Sequence, residues 1–246
     1  MHQGTQRKVS IVIPAYNEEA FIDSVLQQIF KIPLHSIGFV SEIIVVDDGS
    51  TDGTSERVKT FSEVRLIRQT NQGKGAAVQR GIREATGDYV LIQDADLEYS
   101  PVDYIPLLRA LDGRTDITVY GSRVLGQIRD QGYRWPFPGR HPQQRLGPWG
   151  MNIILALWTW MLFGRFVTDM LTGYKIYPMV VLRQFTVKTR GFETDHEISA
   201  KLIRQGIEIR EVPISYSPRS IAEGKKIRLI DGLIALITLL RFRVSH

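Results

Sequence analysis

Gly87-Asp88-Tyr89-Val90-Leu91-Ile92-Gln93-Asp94-Ala95-Asp96 is an apolar run that ends in two carboxylates. Bounded by Gly87 and Pro101, it reads as a buried strand over 89–94. Two acids at the carboxyl end of such a strand repel each other and resist desolvation unless a cation neutralises them. A hard divalent ion with oxygen ligands is the natural partner, and Mg2+ usually keeps waters and bridges to phosphate. Glu98, two residues on, offers a third oxygen. A solvated acidic turn is the simpler alternative, and the surrounding chain decides between them.

Working outward, strand and helix signals alternate. Strands are expected over 9–14, 42–47, 64–68, 89–94 and 117–121, and helices over 19–30, 54–60, 74–85 and 101–111. The helix over 19–30 carries Phe21, Ile22, Val25, Leu26 and Ile29 at helical spacing. This rhythm specifies an α/β fold with a mostly parallel sheet and helices on both faces. Such sheets bind ligands beyond the carboxyl ends of their strands. Three polar turns fall there: Pro14-Ala15-Tyr16-Asn17-Glu18, Asp47-Asp48-Gly49-Ser50-Thr51-Asp52-Gly53, and the Asp94 segment.

Residues 125–148, rich in Arg, Gly, Pro and Gln, read as a long loop. Residues 151–167 are almost wholly apolar, about the shortest span that crosses a bilayer. They read as a helix partly buried and partly dipped into a membrane surface; a plain core helix is the alternative. A short strand over 173–177, a helix over 193–205 ended by Gly206, an extended segment over 207–216 and an apolar, basic-ended helix over 229–243 follow. The last has the pattern of an interfacial helix on anionic lipid.

The 246 residues include no cysteine, which excludes a disulfide framework and a thiolate metal site. A hydrophobic fraction of 43% allows a real core. The formal net charge of +5 favours an anionic partner. No zinc-finger spacing or RNA-binding aromatic signature accompanies the basic residues, so nucleic acid is disfavoured. The short polar N-terminus has no signal-peptide core.

Asp94 and Asp96 suit a metal. Asp47 or Asp48 suits a nucleobase or ribose, and the glycine-bearing turn beside them lets backbone approach a ligand. Lys74, in Gly73-Lys74-Gly75, suits a phosphate or ribose at a helix N-terminus; the spacing is not that of a Walker motif. Arg123 closes the fifth strand and suits a phosphate. Arg219, Lys225 and Lys226 form a second basic group. Together these imply transfer from a nucleotide-activated donor to a phosphorylated acceptor.

Ile13-Pro14-Ala15-Tyr16-Asn17-Glu18-Glu19, Val46-Asp47-Asp48-Gly49-Ser50-Thr51-Asp52-Gly53-Thr54 and Asp94-Ala95-Asp96-Leu97-Glu98 stand in order. With Gly121-Ser122-Arg123, Gly191-Phe192-Glu193 and the run from Val212 to Arg219, the chain resembles the inverting glycosyltransferases of family 2. Within them it is similar to the dolichyl-phosphate mannose synthase and polyprenyl-phosphate glycosyltransferase branch. The resemblance implies one GT-A domain over 1–246, with a nucleotide-sugar and metal half at 8–123 and an acceptor half with membrane-contacting helices at 124–246. It implies that Pro14, Ala15, Tyr16 and Glu18, with Asp47 or Asp48, Lys74, Asp94 and Ala95, bind the nucleotide sugar. Asp94, Asp96 and Glu98 would hold Mg2+ or Mn2+, although the family often has Gln at the last position. Arg123, Arg145, Arg219 and Lys225 would grip the lipid phosphate, with Arg140 an alternative to Arg145.

The expected reaction is inverting, metal-dependent hexose transfer, with GDP-mannose or UDP-glucose as leading donors, to polyprenyl or dolichyl phosphate. Asp96, Arg123 and Asp169 are its candidate catalytic residues, Asp169 as base or orienting group. Membrane contact is expected to be peripheral, on the cytoplasmic face, because the chain ends without the transmembrane helices common in the branch. The rivals are a family-2 enzyme with a soluble sugar or polysaccharide acceptor, a nucleotidyltransferase, and an inactive membrane-bound scaffold.

Overall fold

The computed structural model describes residues 6–133, 138–144, 146–218 and 229–244. β1 (Arg7–Ala15), β2 (Phe39–Asp47), β3 (Val64–Arg68) and β4 (Tyr89–Ile92) alternate with α1 (Ile22–Phe30), α2 (Thr54–Lys59) and α3 (Lys74–Glu84). α4 (Tyr104–Arg109), β5 (Ile117–Ser122), α5 (Arg123–Gln131) and α6 (Leu146–Phe163) follow. β6 (Lys175–Pro178), α7 (Met179–Leu182), α8 (Thr194–Arg204), β7 (Glu208–Pro213) and α9 (Leu229–Val244) complete the described chain.

The seven strands form one sheet in the order β3-β2-β1-β4-β6-β5-β7. β6 runs antiparallel to β4 and β5, and the remaining pairs are parallel. The chain moves from β1 out to β2 and β3, then returns to β4 on the other side of β1. That reversal opens a crevice beyond the carboxyl ends of β1 and β4. β6 and β7 enter the same sheet beside β4 and β5, so one sheet serves both halves.

Both faces of the sheet are covered. Ile11, Ile13 and Leu91 point to the face packed by Ile22, Leu26 and Leu107 of α1 and α4. Val12, Val90 and Ile92 point to the other, against α3, α6, α8 and α9. Each such fully buried side chain contributes about 1.5–3 kcal/mol. Burial on both faces explains why the strands read as continuous apolar runs.

Several expected boundaries are corrected. α1 starts at Ile22 rather than 19, because the Glu18 carbonyl accepts from both Phe21 and Ile22 N–H in a tight turn. The helix expected over 101–111 is shorter: a 3-10 turn, Pro101–Asp103, leads into α4. The expected loop at 125–148 begins instead with α5. The Ser122 hydroxyl caps it by accepting from Leu125 N–H at 3.1 Å, and Gly132 at φ 70° ends it. α6 occupies Leu146–Phe163 rather than 151–167, terminated by Gly164 at φ 69°.

Candidate active site

β4 ends at Ile92, and the Gln93 N–H still donates to the Val12 carbonyl at 3.0 Å, so Asp94 leaves the sheet at the crevice between β1 and β4. Its Oδ1 lies 2.6 Å from Lys74 Nζ, at the first residue of α3. Burial opposes the Lys74 charge, but Asp94, Asp195 and Asp96 outweigh it and push its pKa up. Asp94 Oδ2 faces Gly173 so closely that a Cβ there would stand 2.4 Å away and push the Asp94 carboxylate aside.

Asp96 Oδ1 accepts from Glu98 N–H at 2.9 Å. The Glu98 carboxylate turns to Tyr216, whose hydroxyl donates to Oε2 at 3.1 Å. Among the described residues no three Asp, Glu, His or Cys side chains gather as a metal-binding group. The expected three-carboxylate set of Asp94, Asp96 and Glu98 is therefore not assembled, because hydrogen bonding aims Glu98 at Tyr216. Asp94 and Asp96 remain a hard, anionic oxygen pair of the kind that binds a hydrated divalent ion together with a diphosphate. The Lys74 ammonium already neutralises Asp94, so a divalent ion there would displace it.

Asp47 and Asp48 are buried and serve the loops. Asp47 Oδ1 accepts from Ser50 N–H at 2.8 Å, and Oδ2 accepts from the Ser55 hydroxyl and faces Arg68 Nε at 3.4 Å. Asp48 Oδ1 accepts from Gln69 Nε2 and Gln72 N–H, and Oδ2 from Gly73 N–H at 2.8 Å. All four oxygens thus have protein donors, which shape the loops, and a carboxylate oxygen with one donor keeps a lone pair for a nucleobase or ribose. Asp48 in particular fixes the chain just before Lys74. Pro14, Ala15 and Glu18 are buried in the adjoining turn, while Tyr16 is 38% exposed at the crevice rim. The Glu18 N–H is held by Thr54 Oγ1 at 2.9 Å. Ala95 is buried between the two acids.

Arg123 and Asp169 form the second centre. Arg123 Nε donates to Asp169 Oδ2 and Nη2 to Oδ1, each at 2.7 Å, and the Arg123 N–H adds a bond to Oδ2 at 2.9 Å. The side chains are 14% and 1% exposed. Burial works against the guanidinium charge, yet Asp169 holds its pKa well above the usual value. Both Asp169 oxygens accept from Arg123, which is the geometry expected of an orienting group. Glu211 of β7 fixes the turn beneath by accepting from the N–H groups of Thr168 and Asp169. Burial pushes the Glu211 carboxyl up despite those bonds. Asn152 of α6 bonds the same turn through the Thr168 carbonyl and the Met170 N–H.

The two centres share one rim. Tyr99 Oη accepts from Gly173 N–H at 2.9 Å beside Asp94, and its ring packs 5.6 Å from that of Tyr216, over which Arg123 lies at 4.9 Å. Sequence reasoning missed Tyr99, Asn152, Glu211 and Tyr216; only Asn152, a polar residue in an otherwise apolar run, carried a signal. It also missed Lys175, 1% exposed with Nζ 3.7 Å from Asp195 and no hydrogen-bond acceptor among the described residues. Burial pushes its pKa down. Arg140 Nη1 donates to the Gln144 carbonyl at 2.6 Å. Arg145, Arg219 and Lys225 lie outside the described residues.

A family model described as Glycosyl transferase family 2 matches residues 10–169. The chain is 30% identical over 224 residues to a dolichol-phosphate mannosyltransferase of Pyrococcus furiosus, covering 89% of this chain and 59% of the relative. It is 36% identical over 139 residues to an undecaprenyl-phosphate 4-deoxy-4-formamido-L-arabinose transferase of Pseudomonas paraeruginosa, covering 52% of this chain and 39% of that protein. The chain therefore spans less than two thirds of either relative. Among solved structures, glucosyl-3-phosphoglycerate synthase from Mycobacterium tuberculosis in complex with UDP superposes with a TM-score of 0.70 at 25% identity, over 96% of this chain and 80% of that one. The same synthase with Mn2+, UDP-glucose and glycerol 3-phosphate gives a TM-score of 0.67 at 24% identity, a likeness of fold.

Proposed function

This chain belongs to glycosyl transferase family 2 and has the GT-A fold, and we propose that it transfers a hexose from a nucleotide-diphosphate sugar to a polyprenyl or dolichyl phosphate with inversion. One observation carries this reading: a clamped, buried arginine faces the same rim as the acidic pair. The Asp94 loop suits a metal-bound diphosphate, and Arg123 suits a second phosphate, so an acceptor that is itself a phosphate fits both centres. The apolar faces of α6 and α9 favour a lipid form of that phosphate.

Asp94 and Asp96 would hold Mg2+ or Mn2+, which when bound neutralises charge on the leaving diphosphate. Lys74 exchanges its bond to Asp94 for the donor diphosphate, adding a charge-assisted contact at the α3 N-terminus. Arg123 arrives pre-oriented, because Asp169 fixes its plane before any substrate binds. It places an acceptor phosphate oxygen against the anomeric carbon, on the face away from the diphosphate. The new carbon–oxygen bond forms as the bond to the diphosphate breaks. A phosphomonoester has a second pKa of about 6 and is largely dianionic at neutral pH, so no general base is required. This agrees with Asp169 being turned to Arg123 through both of its oxygens.

Contact with the membrane is peripheral in this reading and lies on the cytoplasmic face, where the nucleotide sugar is supplied. α6 and α9 pack together, with Trp158 Nε1 donating to the Leu236 carbonyl at 3.1 Å. Outward they leave Leu157, Trp160, Met161, Leu233 and Ile237 more than half exposed. α6 has 18 residues with mean hydropathy 1.3, long and apolar enough to cross a bilayer, yet it contributes Leu155 and Ala156 to the core. That division of faces suits a helix lying at the interface.

The test incubates the protein with Mn2+, polyprenyl phosphate and radiolabelled GDP-mannose or UDP-glucose, then extracts lipid. Label is expected in the organic phase, lost on chelation, and absent with folded Asp96→Ala. Label appearing only in soluble products would replace the lipid acceptor with a soluble one. Retained transfer by Asp96→Ala would remove the acidic pair from the chemistry.

A further inference from the structure

We propose that Tyr216 is a positioning residue that couples the acidic donor loop to Arg123, so that donor nucleotide and acceptor phosphate each strengthen the binding of the other. The inference rests on the proposed phosphate acceptor and adds a residue and a linkage to it.

After β7 the chain runs over 214–218 across the crevice, fastened to both centres. Ser215 N–H donates to Asp103 Oδ2 at 2.8 Å, and Ser217 N–H donates to the Glu98 carbonyl at 2.9 Å. Ile214 is so close to α5 that a Cβ on Gly126 would stand 1.9 Å from its carbonyl oxygen. Between these anchors Tyr216 is 6% exposed. It uses its two chemical ends differently. The hydroxyl donates to Glu98 Oε2, and the ring face supports the Arg123 guanidinium at 4.9 Å. A cation over an aromatic face is held electrostatically, most strongly where water is excluded.

The donor side of this link is also tight. Glu98 N–H donates to Asp96 Oδ1. Any ligand that draws the Asp96 carboxylate pulls on the Glu98 peptide, and Glu98 holds Tyr216 by its side chain and Ser217 by its carbonyl. The Tyr216 ring then sets the height of Arg123, whose other side is locked by Asp169. Ring packing from Tyr216 through Tyr99 to Tyr174, at 5.6 and 4.8 Å, leaves little room for one centre to move without the other. Coupling of this kind is reciprocal: what the donor does to acceptor affinity, the acceptor does to donor affinity.

Calorimetric titration of the full chain with farnesyl phosphate, with and without Mn2+ plus UDP and in a second series plus GDP, tests this. In the wild type, Mn2+ with the cognate nucleotide is expected to tighten farnesyl phosphate binding about tenfold. Tyr216→Phe keeps the ring and removes the hydroxyl. It should bind each ligand alone within about twofold of wild type while the coupling factor falls to about one. Tyr216→Leu, checked for folding by thermal melt, should also weaken farnesyl phosphate binding alone, because Arg123 loses its ring support. Wild-type coupling retained in Tyr216→Phe, or no coupling in the wild type, would overturn the linkage alone. A wild type that binds nucleotide but no farnesyl phosphate would instead overturn the acceptor reading, and one that binds neither UDP nor GDP the donor reading; either would take the linkage with it.

Discussion

Asp169 gives both carboxylate oxygens to Arg123, and that pairing favours one of two mechanisms. A general base needs an oxygen directed at the acceptor; an orienting acid needs the geometry seen here. Removing one member of a buried ion pair typically costs about 3–5 kcal/mol, because the other charge is left uncompensated. Asp169→Asn should therefore be less stable and raise the KM for the lipid phosphate, while the pH dependence of kcat keeps its shape. A base would betray itself through a lost acidic limb in that profile, and such a loss would return Asp169 to the chemistry. The residue types at both centres were legible in the sequence, since Asp94, Asp96, Lys74 and Arg123 all reach the rim. Their partners were not. Asp48 bonding Gly73 and Glu98 bonding Tyr216 join residues far apart in the chain, and spacing carries no information about such contacts.

At the scale of elements, period and punctuation located almost every strand, and β3 falls on its expected residues, 64–68. The errors cluster where hydrogen bonding overrides composition. α5 forms inside a Gly- and Arg-rich stretch because Ser122 caps it, and a cap outweighs weak propensity over so short a helix. Between β1, β2 and the turn before β4, Glu42 is the fastening: it accepts from the Ser10 hydroxyl and from Thr86 N–H and Oγ1, and pairs with Lys8 Nζ at 3.0 Å. Burial alone would raise its pKa, but these partners win and bring it from 4.5 down to about 2. A carboxyl depressed on folding stabilises above its unfolded pKa, and the contribution drains away as pH falls from about 4.5 towards 2. Glu42→Gln should lower stability at neutral pH by about 1 kcal/mol, solvent screening cutting what the full shift would give, and by far less near the acid end of that window, read from denaturant melts. Equal losses at both ends would show that the charge is immaterial.

For the molecule as a whole, the exposed faces of α6 and α9 form one apolar surface, with Arg241 and Arg243 in the last turn of α9. Apolar area of this kind beside basic residues suits an anionic lipid surface, each basic group adding about 1 kcal/mol. The double variant Trp160→Glu with Ile237→Glu should lose flotation with phosphatidylglycerol liposomes while still binding nucleotide with Mn2+. Liposome binding unchanged in that variant would sink the membrane-facing assignment. The amino-acid sequence by itself determined the α/β class, the crevice at the carboxyl ends of the strands and the identity of the charged groups placed there. It could do so because hydrophobic period and turn chemistry act over a few residues. Only the tertiary structure decided that β6 enters antiparallel between β4 and β5, that Asp169 clamps Arg123, and that Tyr216 joins the two centres. Each depends on segments distant in sequence being packed together, where mutual burial and hydrogen-bond geometry choose among partners that local pattern leaves equivalent.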